Sequence, residues 1–249
     1  MSIAIGILDN YTQLDLDNCY NSIPESLKDN IFTVSNTQNK LKGRHFRFDK
    51  EVPFASMRNY ALTQFRADSN LKYYFLIGSN LAITDPEIFN HTIKLASNFG
   101  TWFMTGPCGN VLEIEDEENH LTLQISPELN TNFLFIHFGI VKNCGYFNEQ
   151  FYADNILGTL DYLIKLRQKE LYPSAPFNPS VYEGLSIIPA NLKKAQFKPT
   201  LKAEDKSLGL FYYLHKFIPG VDDNTGSTKE QMLKSIEKLQ QRYARVSKK

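Results

Sequence analysis

Three short apolar runs constrain the fold of this chain more than any other feature. Ile3 to Leu8, Asn30 to Asn36 and Tyr73 to Ile77 each break off into polar residues: Asp9-Asn10, Ser35-Asn36 and Gly78-Ser79-Asn80. Runs of that length, bounded by turn-forming residues, read as buried strands. Between the first two, Leu14 to Ser26 spaces Leu14, Cys19 and Ile23 along one helical face. Asp15 and Asp17 fall early in it, where the helix dipole favours acidic side chains. Phe54 to Arg66 carries Met57, Ala61, Leu62 and Phe65 on one side. Strand, helix and strand at this spacing argue for a parallel α/β unit.

The pattern continues downstream. Lys40 to Lys50 is basic and reads as loop. Thr84-Asp85-Pro86-Glu87 has the form of a helix start leading into Ile88 to Phe99, and Trp102 to Thr105 is a further strand candidate. From Val111 to Ile136 short strands surround an acidic run, Glu115-Asp116-Glu117-Glu118, which reads as a solvated turn. Phe133 to Val141 is strand-like throughout, and Asp154 to Lys169 is helical. After Leu171 the composition changes: six prolines fall between Pro173 and Pro219, which reads as an arm wrapped on the domain. An amphipathic segment, Thr228 to about Val246, closes the chain. The expected organisation is therefore a principal domain over 1–170 and, over 171–249, an arm and helix packed on it.

Composition excludes several function classes. The 27 basic and 27 acidic residues cancel, which argues against a whole-domain electrostatic grip on nucleic acid or an anionic membrane. Three scattered cysteines form no CxxC pair, so neither a disulfide framework nor a zinc knuckle is favoured. The apolar start at Ile3 lacks a basic leader and no window approaches a membrane span, so the expectation is a soluble, cytoplasmic protein without a signal peptide. Neither a P-loop nor a GxGxxG run is present.

Polar groups after strands gather where a doubly wound sheet holds its ligand. The binding candidates are Asp9, Asn10 and Tyr11, then Asn36, then Gly78, Ser79 and Asn80. His137 beside an apolar run reads as structural.

Ser56-Met57-Arg58-Asn59-Tyr60-Ala61-Leu62, followed by Tyr74-Phe75-Leu76-Ile77-Gly78-Ser79-Asn80, resembles the R-N-x-A-L … F-L-D-x-D segment of GT-A glycosyltransferases, especially family-2-like ones. Thr84-Asp85-Pro86-Glu87-Ile88 is similar to the continuation of that segment. Gly145-Tyr146-Phe147-Asn148-Glu149-Gln150-Phe151 resembles their G-x-F-D-E-x-F stretch. Asp154, with Asp161-Tyr162-Leu163-Ile164-Lys165-Leu166-Arg167, resembles their E-D-x-D-Y-x-x-R-L helix. The motifs stand in the family's order over 1–170.

This resemblance implies a GT-A (Rossmann-like) α/β fold, a mostly parallel sheet flanked by helices, and transfer of a sugar from a nucleotide-sugar to an acceptor hydroxyl on a glycan, protein or nucleic acid. It implies that Asn10, Tyr11 and Asn36 face the nucleoside, and that Arg58, with Asn59 beside it, sits near the diphosphate. Arg58→Ala should then weaken nucleotide binding with little loss of fold. Asp154 or Asp161 would be the catalytic base. The family's D-x-D carboxylates hold Mn²⁺ or Mg²⁺. Here Gly78, Ser79 and Asn80 occupy that place and no metal ligand is identified, so metal-independent transfer, with Arg44, His45 and Arg47 offsetting the diphosphate, is one reading. The alternative is a catalytically inactive GT-A-fold protein with a structural or binding role in a larger assembly such as a virion, or a homo-oligomer.

Overall fold

The computed structural model describes residues 2–106, 112–116, 120–126, 130–151, 155–172, 178–180 and 185–187. Its centre is a sheet in which β1 (Ile3–Asp9), β2 (Ile31–Ser35), β3 (Arg44–Arg47) and β4 (Tyr73–Gly78) run parallel in the order β3-β2-β1-β4. A short β5 (Leu81–Ile83) leaves the main sheet. Beyond β4 the order continues through β9 (Asn130–His137), β6 (Phe103–Gly106), β10 (Asn178–Ser180), β8 (Leu121–Ser126) and β7 (Leu112–Asp116). β9 runs antiparallel to both β4 and β6, and β8 antiparallel to both β10 and β7. The expected α/β architecture, a mostly parallel sheet flanked by helices, is the one observed.

The faces are set by alternation along each strand. Ile3, Ile5 and Ile7 of β1 join a core with Leu16 and Cys19 of α1 (Gln13–Ser22) and the buried face of α3 (Ile88–Phe99). Ala4 and Leu8 join the opposite core, with α2 (Phe54–Arg66), α4 (Phe138–Cys144) and α5 (Asn155–Gln168). On that face Gly6 lets α2 come close: a Cβ there would stand 2.9 Å from Leu76 Cδ2 and 3.2 Å from Ala61 Cβ. Met57, Ala61, Leu62 and Phe65 are all buried, as their spacing predicts.

Four readings need correction. Leu14 is 63% exposed; the buried stripe of α1 and its exit is Leu16, Cys19 and Ile23. Arg44–Arg47 is an edge strand, not loop, because it pairs with β2 and Phe46 stacks on Tyr60 of α2 at 4.0 Å. Phe138–Val141 is helical: His137 Nδ1 accepts from the Gly139 N–H and caps α4, while Ile140 and Val141 turn into the core. Glu115 and Asp116 end β7, so only Glu117 and Glu118 of the acidic run remain for a turn, and they lie outside the described residues.

The Pro-rich segment contributes β10, inserted between β6 and β8, and β11 (Leu185–Ile187), paired with β5. The expected C-terminal helix lies outside the described residues. Among the described residues, no helix is long and apolar enough to cross a membrane.

Candidate functional site at the switch point of the sheet

The chain builds β1, β2 and β3 toward one edge, then returns to place β4 on the other side of β1. The carboxyl ends of β1 and β4 therefore flank the topological switch point, where open α/β sheets leave a crevice. Asp9, Asn10 and Tyr11 follow β1 there, and Gly78, Ser79 and Asn80 follow β4.

Asp9 organises this edge. Its side chain is 0% exposed and accepts from the hydroxyls of Ser35 (2.7 Å), Thr37 (2.7 Å) and Ser79 (3.3 Å) and from Asn39 Nδ2 (3.0 Å). One carboxylate thus ties the ends of β1, β2 and β4 together. A buried anion is tolerable only with such a complement of donors. Asn39 also donates to the Tyr11 carbonyl at 3.0 Å, Gln13 and Lys40 exchange two hydrogen bonds, and Lys42 pairs with Asp17 at 2.8 Å. These contacts hold the segment after β2 against the segment after β1 and the start of α1. Arg47, at the end of β3, donates to the Asn39 carbonyl and so is tied to the same segment. Arg44 and His45 are exposed, with Arg44 over the Phe32 ring at 5.8 Å.

The polar groups at these strand ends differ in their availability. Asn10 and Tyr11 are half-buried, and burial, with Asp15 nearby, raises the Tyr11 phenol above its ordinary pKa. Asn36 is occupied: its amide donates to the Val52 carbonyl at 2.8 Å and accepts from Val52 N–H at 3.2 Å, which clamps the segment before α2. Ser79 is fully buried and turned to Asp9. Asn80 is half-buried.

Arg58 and Asn59 belong to a different arrangement. Arg58 is 1% exposed; it donates to Thr159 Oγ1 at 2.9 Å and to the Thr131 carbonyl at 2.7 Å, and its guanidinium lies 5.1 Å from the Phe147 ring centre. Burial lowers its pKa to about 9. It thereby fastens α2 to α5 and to the start of β9. Asn59 donates to the Phe147 carbonyl and Glu149 Oε1 and accepts from Phe147 N–H, which holds the G-x-F-type segment against α2. Asp161, on α5, is 1% exposed and pairs with Lys165 at 2.7 Å. Asp154 lies outside the described residues.

The donor set at 78–80 does not fit a divalent cation. Gly78 has no side chain, the Ser79 hydroxyl faces Asp9, and Asn80 is neutral, whereas Mg²⁺ and Mn²⁺ sites are built on carboxylates. Among the described residues no three or more His, Cys, Asp or Glu side chains gather to hold a metal. One polar residue of this edge escaped the sequence reading: Asn132 of β9, brought beside Gly78. Its run, Asn130-Thr131-Asn132, precedes the apolar stretch and carries no signal by itself.

Fold and site together define an open α/β protein with polar residues gathered at its switch point. No family model matches the chain, and no curated protein matches it. Among solved structures, it is similar to residues 1–349 of S. aureus TarS, with a TM-score of 0.44 and 13% identity over 74% of this chain and 58% of that one. It is also similar to a second S. aureus TarS structure (TM-score 0.44, 14% identity, 66% and 34% covered) and to GalNAc-T7 with UDP, GalNAc and Mn²⁺ (TM-score 0.49, 11% identity, 66% and 40% covered). The chain spans less than two thirds of each of these proteins.

Proposed function

We propose that this chain is a GT-A-type glycosyltransferase that binds a nucleotide-sugar in the switch-point crevice and transfers its sugar to an acceptor hydroxyl. The observation that carries the reading is the meeting of Asp9–Tyr11 with Gly78–Asn80 at the carboxyl ends of adjacent strands. The ordered motifs over 1–170 supply the reaction class.

In this reading Asn10 and Tyr11 face the nucleoside, and Asp9 acts through the loops it holds. Arg47, with Arg44 and His45 on the same strand, offsets the diphosphate, so the chain needs no divalent cation for binding. Arg58 and Asn59 position α2 and the Phe147 segment instead of touching phosphate. Of the two expected bases, Asp161 is paired with Lys165, which leaves Asp154 to take the acceptor proton. The transfer breaks the bond between the anomeric carbon and a phosphate oxygen, forms one from that carbon to the acceptor oxygen, and releases a nucleotide. The acceptor is a hydroxyl of a glycan, protein or nucleic acid.

Calorimetric titration with UDP, GDP, CMP and dTDP, with and without Mn²⁺, tests this. Binding of one nucleotide without Mn²⁺ is the expected result. Binding of none would overturn the donor-site assignment, and binding only with Mn²⁺ would overturn metal independence.

A further inference from the structure

Among the described residues, the main sheet ends in β3 on one side and in β7 on the other. These two edges carry opposite charge. Lys40 to Lys50, which contains β3, holds five lysines and arginines against one aspartate. β7 reads Leu112-Glu113-Ile114-Glu115-Asp116 without a base, and the sequence continues in Glu117 and Glu118. A chain whose charges cancel over its whole length therefore sets them apart across the width of its sheet. Arg44, His45, Glu113 and Glu115 are all exposed.

Direction and facing match as well. Followed from strand to strand across the sheet, the pairings leave β7 running in the same sense as β3. Ile114 turns into the core shared with α3, and Asp116 accepts from Asn98 of that helix, so Glu113 and Glu115 stand on the opposite face. Phe46 stacks on Tyr60 of α2, and Arg44, two residues before it, lies on the same side over the Phe32 ring. In a sheet continued from β7 of one copy into β3 of the next, Arg44 therefore shares a face with Glu113 and Glu115. His45 and Arg47 share the other with Asp116. The backbone is also placed for pairing: Phe48 N–H donates to the Ser35 carbonyl, so alternation along the strand turns the His45 and Arg47 amides toward the open side. Pairing β3 with β3, or β7 with β7, would instead oppose like charges.

We infer that the two edges are complementary halves of one interface, in which β3 of one copy of this chain adds as a parallel strand to β7 of the next. An unpaired edge is a template for another strand, and opposite charges across the junction select which strand it takes. The contact is head-to-tail, so it repeats until it closes into a ring or extends as a filament. Strands this short make a small junction, and its association is weak and sensitive to salt. The inference rests on the sheet edges and is independent of the nucleotide-sugar reading.

Sedimentation velocity of the full chain, from about 5 to 500 µM protein at about 50 and 500 mM NaCl, tests this. Species larger than a dimer should grow with concentration at the lower salt and recede at the higher. Glu113→Lys with Glu115→Lys makes β7 basic, and Arg44→Glu with His45→Glu makes β3 acidic. Each double variant alone should associate about tenfold more weakly. Mixing the two should restore association, because each edge then meets its opposite on the other chain. Should a reversal fail to fold, as circular dichroism would reveal, the neutral changes Arg44→Gln and Glu115→Gln should each weaken association about threefold. Hydrogen exchange should slow at 44–47 and 112–116 in the associated state. A chain that stays monomeric at every concentration overturns the inference, as does association indifferent to salt and to both reversals, or a mixture that fails to recover it. Edges fully protected in the monomer would show that the chain covers them itself, and assembly only on adding an oligonucleotide would give the basic edge to nucleic acid; either result also overturns it.

Discussion

Replacing Arg58 separates a structural cation from a ligand-binding one. Lowering an arginine to about pKa 9 by burial corresponds to a penalty of about 5 kcal/mol on its charged form. Against that stand two hydrogen bonds from a charged donor, about 1.5–3 kcal/mol each, and a cation–π contact of about 1–2 kcal/mol. The two sides nearly cancel, so the charge itself contributes little net stability. The volume it fills in the core does contribute. Arg58→Met keeps most of that volume and removes the penalty, so it should lie within about 1.5 kcal/mol of wild type. Arg58→Ala leaves a cavity between α2, α5 and β9 and should lose about 3–4 kcal/mol.

Urea unfolding followed by circular dichroism, comparing wild type, Arg58→Met and Arg58→Ala at neutral pH, reads these differences. An Arg58→Ala variant within about 0.5 kcal/mol of wild type that has lost nucleotide binding would refute the reasoning and return Arg58 to the ligand.

Three further outcomes follow from the packing. Gly6→Ala should destabilise by about 1–3 kcal/mol in the same unfolding assay, because its methyl meets Leu76, Ala61 and Phe65 between β1 and α2. Burial lowers His137 from 6.5 to about 4, with Lys72 adding to the effect, so its contribution is complete above pH 6.5 and is lost as pH falls toward 4. His137→Asn, which keeps an acceptor for the Gly139 N–H, should flatten the acid limb of stability by about 2 kcal/mol. Burial, with Asp9 adding to it, raises the Cys19 thiol to about 12, so iodoacetamide should modify Cys19 only on unfolding, as peptide mass spectrometry would detect.

The order of strands and helices was legible because β1, β2 and β4 are buried on both faces and so are written as unbroken apolar runs. The polar ends of these strands were legible for the same reason: a strand must end in polar residues where its backbone meets water. β3 escaped because an edge strand needs no apolar run; its pairing with β2 and the Phe46–Tyr60 stack hold it in place. Phe138–Val141 misled because an apolar quartet suits a strand and a short helix equally, and only the His137 cap and the turn into the core decide between them.

Which partner each polar residue meets was decided by tertiary structure alone. Arg58 meets Thr159 and Thr131, Asn59 meets Phe147 and Glu149, and Asp9 meets Ser35 and Ser79 across long stretches of chain. Asn132 comes beside Gly78 only because β9 pairs with β4. Apolar periodicity is a local property, repeated along the chain and readable within a dozen residues. A hydrogen bond depends on the placement of one atom against another, and at these positions the partner is supplied by an element that only the assembled sheet brings within reach.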